Sequence, residues 1–175
     1  MIKLIKDYVA YNSWANKKLF GLTDQLQGAD FDRELVSSFP TIRKTIVHIW
    51  DAESIWLSRL KGSSPIQWPS NNLDRSLPFI EPAIANSEVY RDYVNKKEAS
   101  WFDAPCSYST AEGTIFMKRY GELIMHTMNH STFHRGQLIT MFRQLGLTEL
   151  SSTDYITWVN TKGETENELS AIYGG

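Results

Sequence analysis

Cysteine is all but missing from this chain. Cys106 stands alone among 175 residues, which rules out an intrachain disulfide and makes a cytoplasmic setting the expected one. Long apolar runs are missing too: nothing approaches the roughly 20 residues that a bilayer crossing needs. The opening stretch, MIKLIKDYVAYNSW, has neither a signal-length apolar core nor a small-residue cleavage site, so a soluble protein with no membrane partner is expected. Charge of one sign is also lacking. Eighteen Lys and Arg stand against 20 Asp and Glu, a formal charge of −2, so a basic surface suited to phosphate backbones is not evident and nucleic acid is not an expected partner. Histidine is scarce, with four in all.

What is present is apolar and aromatic. Hydrophobic residues make up 42% of the chain, six of them Trp, and this length can bury a substantial core. A single domain over residues 1–175 is expected, with the polar tail from about 160 loosely held. Ile5, Tyr8, Asn12, Ala15, Leu19, Leu22 and Leu26 recur at steps of three and four, the stripe of an amphipathic helix with a polar break at Asn12. A second such pattern follows Pro40 and runs through Ile42, Ile46, Ile49, Glu53, Trp56 and Leu60, up to Gly62 and Pro65.

The Ser-, Pro- and Asn-rich KGSSPIQWPSNNLDRSLP then reads as a long loop. A third helix opens near Pro82 and extends to about Phe102. Tyr, Thr, Ile and Phe around AEG predict a short β-hairpin before a fourth helix, Lys118 to Leu145, which Gly146 would cap. STDYITWVN resembles a short helix capped at Thr153 or Asp154. The expected fold class is all-α, a four-helix bundle with one small hairpin.

Three of the four histidines fall in HTMNHSTFHRGQL, at steps of four. Residues i and i+4 of a helix differ by about 6 Å along the axis and roughly 40° around it, so two such imidazoles can share one ion. Three in a row span about 12 Å and cannot all reach it. The stripe Leu123, Thr127, His130, His134, Leu138, Met141, Leu145 puts His130 and His134 inward and leaves His126 at a polar margin. His48, beside Ile49 and in phase with Ala52 and Ile55, is the natural third ligand from the second helix.

Three neutral imidazoles suit Zn²⁺, Ni²⁺ or Fe²⁺ and leave a coordination position open. Against this stands the plain alternative that these are core histidines bonded to backbone groups. Ser131, not Glu, follows His130, so the general base of the H-E-x-x-H metalloproteases is missing. Asn12 and Asn16 could line a cavity, but hydrogen bonding to a neighbouring helix is the favoured role. Glu53 suits either a ligand's free N–H or an interhelix ion pair. Gly136 inside a helix points to close packing behind the ligands. Arg135 and Gln137 suit contacts behind the ligands or between helices, with a solvated Gln137 as the alternative. Cys106 reads as an unactivated thiol.

YNSWANKKL, HIWDAESIWLSRL and NHSTFHRGQL, in this order and spacing, resemble the three signatures of the DinB-like (DinB/YfiT-like) superfamily across nearly the whole chain. The resemblance implies an up-down-down-up four-helix bundle, a homodimer, and a divalent metal held by one histidine of the second helix and two of the fourth. Those positions are His48, His130 and His134. Relatives include S-transferases that use low-molecular-weight thiols and a mycothiol-dependent isomerase. The expected activity is therefore thiol S-transfer first and metal-assisted hydrolysis second, on a small-molecule substrate. The alternative is a non-catalytic metal-binding or small-molecule-sensing dimer. No catalytic side chain can be named.

Overall fold

The computed structural model describes residues 2–72 and 78–162. Four long helices dominate: α1 (Ile2–Phe20), α2 (Ile42–Leu60), α3 (Ile80–Asn95) and α4 (Tyr120–Gln144). A hairpin of β1 (Pro105–Ser109) and β2 (Ile115–Arg119) precedes α4, pairing Cys106 with Lys118 and Tyr108 with Phe116. A short helical segment covers 155–162. Among the described residues, no helix is long and apolar enough to cross a membrane.

Local chemistry sets these boundaries. Thr41 caps α2, its hydroxyl accepting from the Lys44 amide at 3.1 Å. Glu122 reaches back to the Arg119 amide at 2.9 Å and fixes the start of α4. Gly62 and Gly146 end α2 and α4 with φ of +87° and +93°, a backbone state that side chains with a Cβ resist.

Three boundaries differ from expectation. The α1 stripe does not stay α-helical to Leu26, because the chain tightens into a 3₁₀ turn at Gly21–Gln25. The third helix stops at Asn95, not near Phe102. The aromatics beyond it, Trp101 and Phe102, sit in a separate 3₁₀ turn, Ala99–Asp103, where Phe102 is buried under its own contacts. Lys118 belongs to β2, so α4 begins two residues later, after the strand has closed its ladder. The expected loose tail beyond 162 lies outside the described residues.

α1 packs on α3 and α4, and α2 packs on the same two. Two apolar clusters fill most of the core, and a smaller third joins Tyr11 and Ala15 to Trp158. Of the larger two, one holds Leu19, Ile49, Ala83 and Leu138, the other Val9, Leu57, Tyr90 and Met128. By position along each chain segment, α1 and α4 run from the second cluster to the first, and α2 and α3 run the opposite way. Between the clusters every helix contributes polar side chains: Asn12 and Asn16, Glu53, Ser87, and Ser131 with Arg135.

Candidate metal centre

The polar layer is a closed hydrogen-bond network. Glu53, 1% exposed, accepts from Asn12 Nδ2 at 2.6 Å, Asn16 Nδ2 at 2.8 Å, Ser87 Oγ at 2.6 Å and Ser131 Oγ at 3.3 Å. Arg135, 2% exposed, donates from Nη1 to Asn12 Oδ1 at 2.5 Å and Asn16 Oδ1 at 2.9 Å, and from Nη2 to Thr132 at 2.7 Å. The two asparagines thus bridge anion and cation. Burial pushes the Glu53 carboxyl above its ordinary range, opposed by these hydrogen bonds and the Arg135 charge. Asn12 and Asn16 fill the hydrogen-bonding role, and Glu53 serves the interhelix network and touches no histidine ring in the contacts described.

This network sets the phase of α4. Ser131 and Arg135 occupy the centre of its buried face, which leaves His130 and His134 on one edge of that face, toward α2. His48, a third of the way along α2, meets them there. Its Nε2 lies 3.0 Å from His130 Nε2, and its ring centroid is 4.8 Å from that of His130 and 4.6 Å from that of His134. One ligand atom from each ring lies within 4.8 Å of the others. Among the described residues no fourth His, Cys, Asp or Glu joins the group.

The donors fit a metal ion. Two nitrogens bound tetrahedrally at about 2.0–2.1 Å stand about 3.3 Å apart, a few tenths of an ångström beyond the observed His48–His130 separation. His134 Nδ1 is 2.8 Å from Gln137 Oε1, and Gln137 in turn donates to Ser38 at 2.9 Å. An imidazole that donates from Nδ1 keeps the Nε2 lone pair free for a ligand bond. Gln137 is therefore engaged with a candidate ligand and is not merely solvated. Buried His130 Nδ1 has no hydrogen-bond partner among the described residues, an orphaned polar atom on a ring of the cluster.

Electrostatics hold the rings neutral. Burial, followed by the charge of neighbouring His134, pushes His48 down to about 4, and the same causes with His48 and His126 added bring His130 to about 4. His134 is also lowered by burial, against the raising effect of Gln137. Neutral imidazole is the form that ligates metals.

His126 is exposed and packs edge-on to Trp56 at 4.9 Å, with its ring 6.3 Å from that of His130. It remains outside the three-ring group, as its place at the polar margin implied. Gly136 departs from expectation: a Cβ built there meets nothing within 4 Å. It lies on the outer face of α4, so close packing is not its role. Cys106 is buried, and burial raises its thiol above the ordinary range.

Loop residues that carry no periodic signal complete the surroundings. Phe39 stacks on the His48 ring at 4.1 Å and meets His134 edge-on at 5.5 Å. Trp68 stands 6.4 Å from His48, its ring tilted by 48°. Asp51, one turn beyond His48, accepts from Ser70 N at 2.9 Å and Ser70 Oγ at 2.5 Å, which pins the loop that bears Trp68. Together with Lys44 they line a cleft of about 750 Å³ that opens on His48. A separate groove of about 640 Å³ between the N-terminal halves of α1 and α4 is mostly apolar and contains no histidine.

The DinB family model matches residues 1–167. The chain belongs to the DinB family. A curated relative, Protein DinB of Bacillus subtilis (strain 168), is 26% identical over 153 residues, covering 83% of this chain and 87% of the relative. Among solved structures, a DinB-like protein from Bacillus subtilis superposes with a TM-score of 0.65 at 14% identity, covering 84% of this chain and 97% of the other. A DinB-like protein from Bacillus cereus ATCC 10987 gives 0.58 at 18% identity, covering 82% and 91%. At those identities the structural likeness establishes the DinB-like fold.

Proposed function

We propose that this DinB-family chain is a metal-dependent enzyme, with His48, His130 and His134 as the ligands of a Zn²⁺, Ni²⁺ or Fe²⁺ ion and thiol S-transfer as its reaction. The observation that carries this reading is the convergence of three neutral imidazoles with no fourth protein ligand among the described residues. A closed, four-ligand shell is the mark of a structural site, whereas three protein ligands leave room for a reactant. A divalent cation in that set supplies Lewis acidity, which lowers the pKa of a thiol or a water beside it.

The chain's own groups do the rest. Gln137 holds His134 in the tautomer that presents Nε2, and Phe39 stacks on His48 and restricts its ring. Phe39 and Trp68 narrow the approach and limit water around the reactants. In the reaction proposed, the thiol gives up its proton to solvent, its sulfur forms a bond to an electrophilic carbon, and the leaving group departs with the bonding electron pair. The protein works in the cytoplasm as a homodimer in this reading, and the apolar groove between α1 and α4, with Leu4 and Met125 exposed, is a surface suited to a second copy.

The test is thiol consumption by metal-reconstituted protein across a panel of small electrophiles. Metal- and protein-dependent loss of thiol supports S-transfer. Ester hydrolysis without a thiol would replace it with hydrolase chemistry. A loaded protein that turns over neither would favour a non-catalytic metal-binding or sensing module.

A further inference from the structure

The cleft at His48 has a charge pattern of its own. Four charged side chains line it besides His48: Asp32, Arg43, Lys44 and Asp51. Arg43 and Asp32 neutralise one another through two hydrogen bonds of 2.8 and 3.0 Å, and the Arg43 guanidinium also lies over Phe31 at 4.6 Å. Asp51 is taken up by both donors of Ser70. Lys44 is exposed, and among the described residues its ammonium has no hydrogen bond or ion pair. Among the described residues, one uncommitted cation therefore lines the cleft.

Its placement is informative. Lys44 precedes His48 by four residues on α2, which sets its Cα about 6 Å from that of His48 along the axis, on the same face. Two aromatic rings of the cleft, Phe39 and Trp68, lie 4.1 and 6.4 Å from the His48 ring. A small molecule with one end at the histidine cluster thus shares one cleft with the Phe39 and Trp68 rings and the Lys44 ammonium.

We propose that Lys44 is the specificity-determining residue of this cleft and selects substrates that carry a carboxylate, or a comparable anionic group, at the end remote from the reacting atom. The inference rests on the reading of His48, His130 and His134 as the metal ligands. Lys44 contacts the anion as a flexible point charge, so an arginine at this position preserves the preference.

Calorimetric titration of the metal-loaded full chain tests it with three probes: 4-mercaptobutanoate, its neutral counterpart 4-mercaptobutanol, and the sulfur-free butanoate. Wild type is expected to bind the mercapto acid about tenfold more tightly than the mercapto alcohol. Lys44→Gln should erase that preference and leave the alcohol's affinity unchanged, while Lys44→Arg should restore it. An undiminished preference in Lys44→Gln, or none in wild type, overturns the proposal. Butanoate separates this claim from the one beneath it. Lys44-dependent butanoate binding that gains nothing from sulfur would overturn the thiol reading and support the anion contact. Thiol binding that ignores Lys44 would do the reverse, and binding of no probe overturns both.

Discussion

The Nε2 atoms of His48 and His130 lie 3.0 Å apart, brought together from α2 and α4 across 82 positions of sequence. Among the described residues neither ring has a charged partner. Two desolvated imidazoles in such contact cannot both carry a proton comfortably, and this has a measurable consequence. Both rings have pKa values near 4 against 6.5 in the unfolded chain. The folded state binds fewer protons than the unfolded state between these limits, so the neutral rings' contribution to stability is fully present above pH 6.5 and is lost as pH falls through about 4. NMR titration of metal-free protein should show both rings still neutral at pH 5.5; midpoints near 6.5 would contradict this.

The Glu53–Arg135 network should behave as a buried ion pair with intermediaries. Arg135→Met leaves the Glu53 carboxylate without its cation in a dry layer, at an expected cost of about 3–5 kcal/mol. Adding Glu53→Gln to that variant should recover part of the loss, since a neutral amide no longer needs a counter-charge. Urea unfolding of the single and double variants checks both statements. A cost below about 1 kcal/mol for the single variant would show that the layer is wet or loosely formed.

Gly136→Ala should stabilise the protein. The site is helical, open and on the outer face, so an added methyl meets no neighbour and removes freedom from the unfolded chain. The expected gain is about 0.5–1 kcal/mol. A lower melting temperature in this variant would mean that the outer face of α4 is covered in solution.

Gln137→Ala removes the group that orients His134. Changes behind metal ligands commonly cost about 10–100-fold in metal affinity. Competition with a chromophoric chelator should show that loss with little change in unfolding midpoint, and unchanged affinity would mean that ring packing alone holds His134.

Much of this architecture is legible in the residues, and the parts that are not share a physical cause. Periodic apolar stripes locate α1, α2 and α4, and turn residues around Gly113 reveal the hairpin, because both signals are local. The same stripe logic brings His130 and His134 inward but misplaces the centre of the buried face, which belongs to Ser131 and Arg135. Hydropathy counts an arginine as outward, whereas its partners on α1, α2 and α4 make its burial tolerable. Phe39, Trp68 and Asp51 are invisible to periodicity since two lie in loops and the third reads as an ordinary helix carboxylate. Gly136 reads as a packing contact because sequence cannot distinguish a crowded glycine from an open one.

Metal content is the most direct test of the central claim. Protein produced without an affinity tag, stripped and then titrated with Zn²⁺, should take up one equivalent. His48→Ala, His130→Ala and His134→Ala should each lose tight binding, whereas His126→Ala should load like wild type. Undiminished loading in the three cluster variants, or loss in His126→Ala alone, would contradict the assignment.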